Sequence, residues 1–225
     1  MPQLPLPDVF ALTLTLTLWL AVGWIIEHPP ARWPSVTQLM QGYRREWMTQ
    51  FITRSPRVFD GTIIDSLRQS TTFFASASMI AVGGGLALIG NPALLSGLVA
   101  DLPLPADLAQ IRLRGLLVVA FLVNALLKFV WASRLFGYCA VMMAAVPNDI
   151  THPDAVLRAG QAADLNITAA KSFNRGLRSI YFALGALAWI LGPWALMAAA
   201  VLVAWVLLRR DFASTSRQVM LRRPS

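Results

Sequence analysis

Charge is what this sequence has least of. Only 13% of its 225 residues are Asp, Glu, Lys or Arg, and 56% are hydrophobic. A soluble domain of this length would carry roughly a quarter charged residues. The deficit excludes a water-facing surface over most of the chain and makes the bilayer the expected solvent. Cysteine occurs once, at Cys139, which excludes an internal disulfide and a thiolate metal cluster. Within an apolar helix it reads as a small buried residue. Histidine occurs twice, at His28 and His152, each before a proline in a loop, so a haem held between membrane helices is not expected. No repeat, phosphate loop, nucleophile elbow, zinc helix or dinucleotide fingerprint occurs, and no cofactor is expected. Asp60 and Asp65 are the only paired carboxylates considered for catalysis, and their spacing does not place them on one helix face. An enzyme is therefore not the expected reading.

What is present fits a membrane. Mean hydropathy is +0.59 and Trp occurs eight times, a residue that favours the interface between headgroups and acyl chains. Net charge is +8 and the pI about 11.0. The basic residues lie mainly beside apolar spans, where they set orientation and meet anionic headgroups. They are not interleaved with aromatics on a soluble domain, so nucleic acid is not the expected partner.

The chain reads as a single all-α membrane domain over 1–225, a four-transmembrane-helix bundle with spans at about 9–26, 70–90, 112–145 and 180–208. The first span, VFALTLTLTLWLAVGWII, alternates Thr and Leu as a strand would, but it continues unbroken into apolar sequence, and length decides for helix. With no basic leader and no small-x-small site, it reads as an anchor rather than a cleaved signal. Residues 36–52 place Val36, Leu39, Met40, Tyr43, Trp47 and Phe51 within an arc of roughly 120°. With Ser35 as cap, this predicts an amphipathic helix in the headgroup plane, packing on a protein neighbour being the alternative. Ser55 and Pro56 are expected to open a helix that runs into the second span. The proline-broken loop 91–108 has room for a short interfacial helix. Residues 153–176 predict a separate Ala-rich loop helix with the i,i+4 pair Asp154 and Arg158. In the fourth span, Gly192-Pro193 predicts a kink rather than two spans, because each half is too short to cross alone.

Orientation follows from the basic residues, and not without conflict. Segments 27–70 and 147–179 carry ten Lys/Arg, the N-terminal segment none, and residues 91–114 only Arg112 and Arg114. The positive-inside rule puts the two larger loops in the cytoplasm and the N-terminus outside. Four spans then put the C-terminus outside as well, although that tail holds Arg209, Arg210, Arg217, Arg222 and Arg223. The comparison becomes ten against seven.

Two cations lie inside the third span, where LKFVWASRLFGYC (127–139) carries Lys128 and Arg134. A charge at mid-bilayer costs at least about 2.5–3.5 kcal/mol. At 100° per residue, Asn124, Lys128, Trp131, Leu135 and Tyr138 share one face, with Arg134 on its flank. On the second span Asp65, Gln69, Thr72 and Ser76 form a polar stripe continued by Met79 and Gly83, and glycines 83–85 invite close helix approach. A polar stripe in lipid must face protein or water. One reading is a structural network joining Asp65 to Lys128 or Arg134. Another is a polar cavity or pore open to the cytoplasm, whose fixed positive charge attracts anions. A third is headgroup binding at Arg134 and FNRGLR. Asn174, Arg175 and Arg178, at the foot of the fourth span, are expected to extend the basic mouth or to anchor it to lipid.

Three stretches, VFDGTIIDSLRQSTTFFASAS, LLKFVWASRLFGYCAV and FNRGLRSIYFALGALAWILGPWALM, together resemble the small bacterial and plant membrane proteins catalogued as domain of unknown function 599. The resemblance runs from about Val9 to Asp211. It implies a compact four-span protein and carries no catalytic residues. The expected function is a homo-oligomeric channel or transporter of the bacterial inner membrane for a small solute, weakly favouring an anion. The alternative is a non-transporting accessory or scaffold subunit that binds anionic lipids or a larger membrane protein complex.

Overall fold

The apolar runs fold as helices, and no strand occurs, across residues 5–99 and 108–222 described by a computed structural model. In chain order these are α1 (Leu6–Glu27), α2 (Val36–Thr53), α3 (Val58–Gly90), α4 (Pro92–Val99), α5 (Leu108–Ala144), α6 (Asp154–Ala186), α7 (Pro193–Phe212) and α8 (Thr215–Met220). A 3-10 turn, Leu187–Leu191, joins α6 to α7. Three helices, α1, α3 and α5, are long and apolar enough to cross a membrane. The part of the 91–108 loop from 100 to 107, and Arg223 in the tail, lie outside the described residues.

Alternating threonine does not make α1 a strand because its hydroxyls find acceptors within the helix. Thr13 Oγ1 donates to the Val9 carbonyl and Thr15 Oγ1 to that of Ala11, both at 2.8 Å. The i−4 carbonyl satisfies each hydroxyl without water, which an apolar medium requires. Pro7 sits in the first turn, where its missing N–H costs nothing.

The predicted loop helix and the start of the predicted fourth span are one continuous helix, α6. FNRGLR does not interrupt it, because Gly176 is where the Phe129 ring of α5 packs. A Cβ there would lie 2.7 Å from that ring. Phe129, Phe74 and Phe173 meet around the same point, with ring centroids 5.4–5.6 Å apart, and tie α3, α5 and α6 together.

The second correction is at Gly192-Pro193, which is a reversal and not a kink. Gly192 has φ +117° and ψ 173°, a region essentially restricted to glycine. Pro193 then opens α7 with its fixed φ. Past this point the chain folds back, so a Cβ on Gly185 would lie 3.1 Å from Val203, and Arg210 Nη1 donates to the Tyr181 hydroxyl at 3.1 Å. Residues 180–208 are apolar throughout, and the positive φ that turns them into a hairpin leaves no mark in hydropathy.

The helices pack around α5 and α6, with α3 against α5, α7 against α6 and α1, and α2 against α6. One core gathers Val22, Ile26, Phe121, Phe182, Trp189 and Leu196. A second, toward the other end, gathers Met48, Phe51, Cys139, Met143 and Ala159. Ser35 caps α2, accepting from Gln38 N at 3.1 Å and donating to the Ile26 carbonyl at 2.8 Å. The buried face of α2 is Met48, Phe51 and Ile52, while Tyr43 is exposed. The helix therefore packs on a protein neighbour with its apolar stripe rotated from the one predicted. Ser55 does not cap α3, which starts at Val58. Arg57 instead donates to the carbonyls of Val146 and Pro147, at 2.7 and 2.9 Å, and ties this turn to the end of α5. The C-terminal segment docks on the α1–α2 connection and on α2. Arg217 Nε donates to the Pro34 carbonyl at 2.9 Å and Tyr43 to that of Met220 at 3.2 Å.

Candidate functional site

Polar groups gather at the two ends of α1. At its start, Asp8 is buried and accepts from Trp189 Nε1 at 2.6 Å and Arg114 Nη2 at 3.1 Å. This ties the first turn of α1 to α5 and to the 3-10 turn. At its end, Glu27 accepts from Arg175 Nε at 2.9 Å and Nη2 at 2.5 Å, and also from Arg178 Nη2. Arg178 is buried and its side chain lies against Gly23; Arg175 is half exposed. These charge-assisted pairs fix α6 to the foot of α1.

Two clefts open beside this second cluster, and Arg178 lines both. The first is a cavity of about 280 Å³ bordered by α2, α3, α6 and α7. Its cations are Arg44, Lys171, Arg178 and Arg210, and Asp211 is its single carboxylate. Arg44 donates to Asn166, a fully buried amide whose Nδ2 lies 3.7 Å from Cys139 Sγ. Burial pulls the Arg44 guanidinium below the usual arginine range, and arginine still stays cationic. Asp211 accepts from the Thr37 N–H at 3.3 Å and the Thr37 hydroxyl at 3.0 Å. Phe136, Phe173 and Leu207 supply apolar wall. The volume is near the lower end for ligand pockets, roughly 300 Å³. An excess of cations beside apolar walls suits a small anion carrying some hydrocarbon.

The second cleft is a groove of about 380 Å³ between α1 and α5, lined by Trp19, Leu20, Trp24, Asn124, Lys128 and Arg175 among others. Asn124 Nδ2 donates to Ser179 Oγ at 2.6 Å, joining α5 to α6 behind it.

The structure thus brings Asn124, Lys128, Arg175 and Arg178 into one groove, and puts Asn174 with Arg178 on the cavity wall. The other predicted residues lie elsewhere. Arg134 and Tyr138 are exposed on α5, and Asp65, Gln69, Thr72 and Ser76 are exposed on α3. The predicted network does not form, since no ion pair joins Asp65 to Lys128 or Arg134 among the described residues. Within the stripe, Thr72 Oγ1 donates to the Arg68 carbonyl at 3.0 Å and has Ser133 Oγ of α5 at 3.4 Å as a cross-helix contact. Of the three glycines 83–85, only Gly85 meets a neighbour, Val119 of α5.

Sequence reasoning missed Glu27, Arg44, Lys171, Arg210 and Asp211. A signal existed for two of them: acids number only eleven, Glu27 closes the first apolar run, and Asp211 follows paired arginines. Among the described residues no group of three His, Cys, Asp or Glu side chains could hold a metal.

These features define an all-helical protein whose membrane-length helices end in a basic, cleft-bearing pole. The chain belongs to the family described as protein of unknown function, DUF599, whose model matches residues 10–216. Comparison with curated proteins and with solved structures found no match.

Proposed function

We propose that the protein is a multi-pass transporter or channel of the cell membrane for a small anion, and that the cavity between α2, α3, α6 and α7 is its binding station. The observation that carries this reading is the charge count of that cavity, four cations against Asp211 alone. Arg178 is already paired with Glu27, whereas among the described residues Arg44, Lys171 and Arg210 form no ion pair, so their charges remain uncompensated beside the cavity. Charge-assisted contacts of this kind are the strong ones in anion recognition.

The hairpin at Gly192 supports a membrane placement with five crossings: α1, α3, α5, the latter half of α6 with its 3-10 turn, and α7. The ties at Asp8 and Glu27 are separated by about 28 Å of helix, close to the roughly 30 Å of a hydrocarbon core. An odd number of crossings places the arginine-rich tail on the same side as the other two basic segments. The ten and the five basic residues then face the cytoplasm, against Arg112 and Arg114 outside. The conflict of a four-span reading disappears.

Flux of anions into liposomes carrying the purified protein tests this reading. Lys171→Gln should weaken anion affinity about tenfold, or about 1.4 kcal/mol, with little change in melting. Absence of flux for every anion, together with an unchanged affinity, would end the transport reading.

One observation favours the scaffold alternative or a homo-oligomer. The membrane-length window of α3 is only 6% buried, and it presents Gly83, Gly84 and Ser76 outward. Small residues of this kind let another transmembrane helix approach closely.

A further inference from the structure

We infer that the groove between α1 and α5 binds one anionic phospholipid, its phosphate held by Lys128 and Arg175 and its hydrocarbon lying along Trp19, Leu20 and Trp24. The site goes beyond anion traffic in the cavity and does not depend on it. It depends only on α1 crossing the bilayer and ending at Glu27.

The first argument is the state of Lys128. Its side chain is half-buried on the groove wall, and among the described residues no carboxylate lies within ion-pairing distance of its ammonium. Its backbone carbonyl is engaged, accepting from Ser172 Oγ at 2.9 Å, so α5 is fixed at this position while the ammonium stays available. Glu27 is the single carboxylate of the groove, and it is divided between Arg175 and Arg178. Three cations therefore face one anion, and a second negative group is missing. An unpartnered ammonium in an apolar setting is costly unless an anion or water meets it.

The second argument is position. The groove lies where the apolar run of α1 gives way to Glu27, His28 and Pro29, the depth at which headgroups sit if α1 spans the bilayer. Trp24 stacks on His28 there, ring centroids 5.6 Å apart, and tryptophan prefers this depth. The third argument is the direction in which the groove opens. Leu20 and Trp24 are 63% and 65% exposed, and Leu127, next to Lys128, is 62% exposed. The basic patch thus continues into an apolar outer surface. A free phosphate would match the cations and leave the Trp19–Leu20 wall unmatched; a phospholipid matches both.

The test uses the full chain in nanodiscs containing equal amounts of phosphatidylglycerol and phosphatidylcholine, with retained lipid read by native mass spectrometry. Phosphatidylglycerol should be retained about tenfold over phosphatidylcholine, and Lys128→Gln should remove that preference, as expected from loss of one charge-assisted contact. Lys128→Arg should restore it, and Lys171→Gln, in the cavity, should leave it intact. Equal retention of the two lipids, or a Lys128→Gln variant that holds phosphatidylglycerol as the wild type does, would overturn the site. Displacement of the lipid by millimolar inorganic phosphate would overturn the assignment to a lipid, since the headgroup alone would then carry the affinity. A photoactivatable phosphatidylglycerol on the unmodified protein gives an answer even if Lys128→Gln misfolds. Crosslinks to 19–28 and 124–131 are expected, and crosslinks confined to α3 would contradict the proposal. A failure to transport anions would leave both readouts unchanged.

Discussion

The two ends of α1 carry similar chemistry in opposite settings. Asp8 meets Arg114 with both side chains more than nine-tenths buried, whereas Glu27 meets a buried Arg178 and a half-exposed Arg175. At the Asp8 end, Arg114 Nε and Nη1 are buried and find no hydrogen-bond partner among the described residues, and neither of the two clefts reaches the pair. At the Glu27 end both clefts open beside it. The lesson is that an ion pair inside an apolar bundle is a structural tie where it is sealed. It becomes part of a binding surface where cations outnumber the carboxylate and space adjoins them.

The sharpest way to break the comparison is Asp8→Asn, which leaves Arg114 buried without its counter-charge. A loss of about 3–5 kcal/mol is expected, seen as a large drop in melting temperature in detergent. Glu27→Gln should cost less, about 1.5–3 kcal/mol and toward the lower figure, because Arg175 stays hydrated. Its distinguishing mark should be stronger anion binding at the clefts, which a second Asp8-like seal would not give. Gly192→Ala tests the turn beside the sealed end. An alanine at φ +117° should cost about 1–3 kcal/mol, read by the same melting assay; no change there would mean that the α6–α7 connection is not the tight reversal described.

The smallest effect concerns Asp211 at the open end. It is the cavity's single carboxylate, set among Arg44, Lys171, Arg178 and Arg210. Because its charge offsets one of those cations, Asp211→Asn should raise anion affinity a few-fold. An anion affinity unchanged by the substitution would remove Asp211 from the site.

Much of this organisation was legible in residues read one helix at a time. The apolar runs gave α1, α3 and α5 because length and hydropathy are local properties. Asn124, Lys128, Arg175 and Arg178 stood out as polar residues in or beside apolar sequence, and they do share a groove. What stayed hidden depends on contacts between distant segments. Helical phase placed Asp65 and Gln69 on one stripe, but which side of α3 meets α5 is decided by Phe74 and Gly85 finding Phe129 and Val119. Arg44 is one of ten basic residues in the two larger loops by sequence alone, and only the fold shows that it meets Asn166, 122 residues away. Gly192-Pro193 fits a kink and a hairpin equally well by composition, and only the backbone angle separates them.

That hairpin decides where the basic tail lies, and cysteine labelling tests it most directly. Cys139 is fully buried, so a single introduced cysteine can report on its own position. Val219→Cys, at a half-exposed position of α8, and Leu6→Cys, at the opposite end of α1, would each be treated in intact cells with a membrane-impermeant maleimide. The account predicts labelling of Leu6→Cys from outside and of Val219→Cys only after the membrane is permeabilised. Equal labelling of both in intact cells would place the tail outside and contradict the five-crossing arrangement.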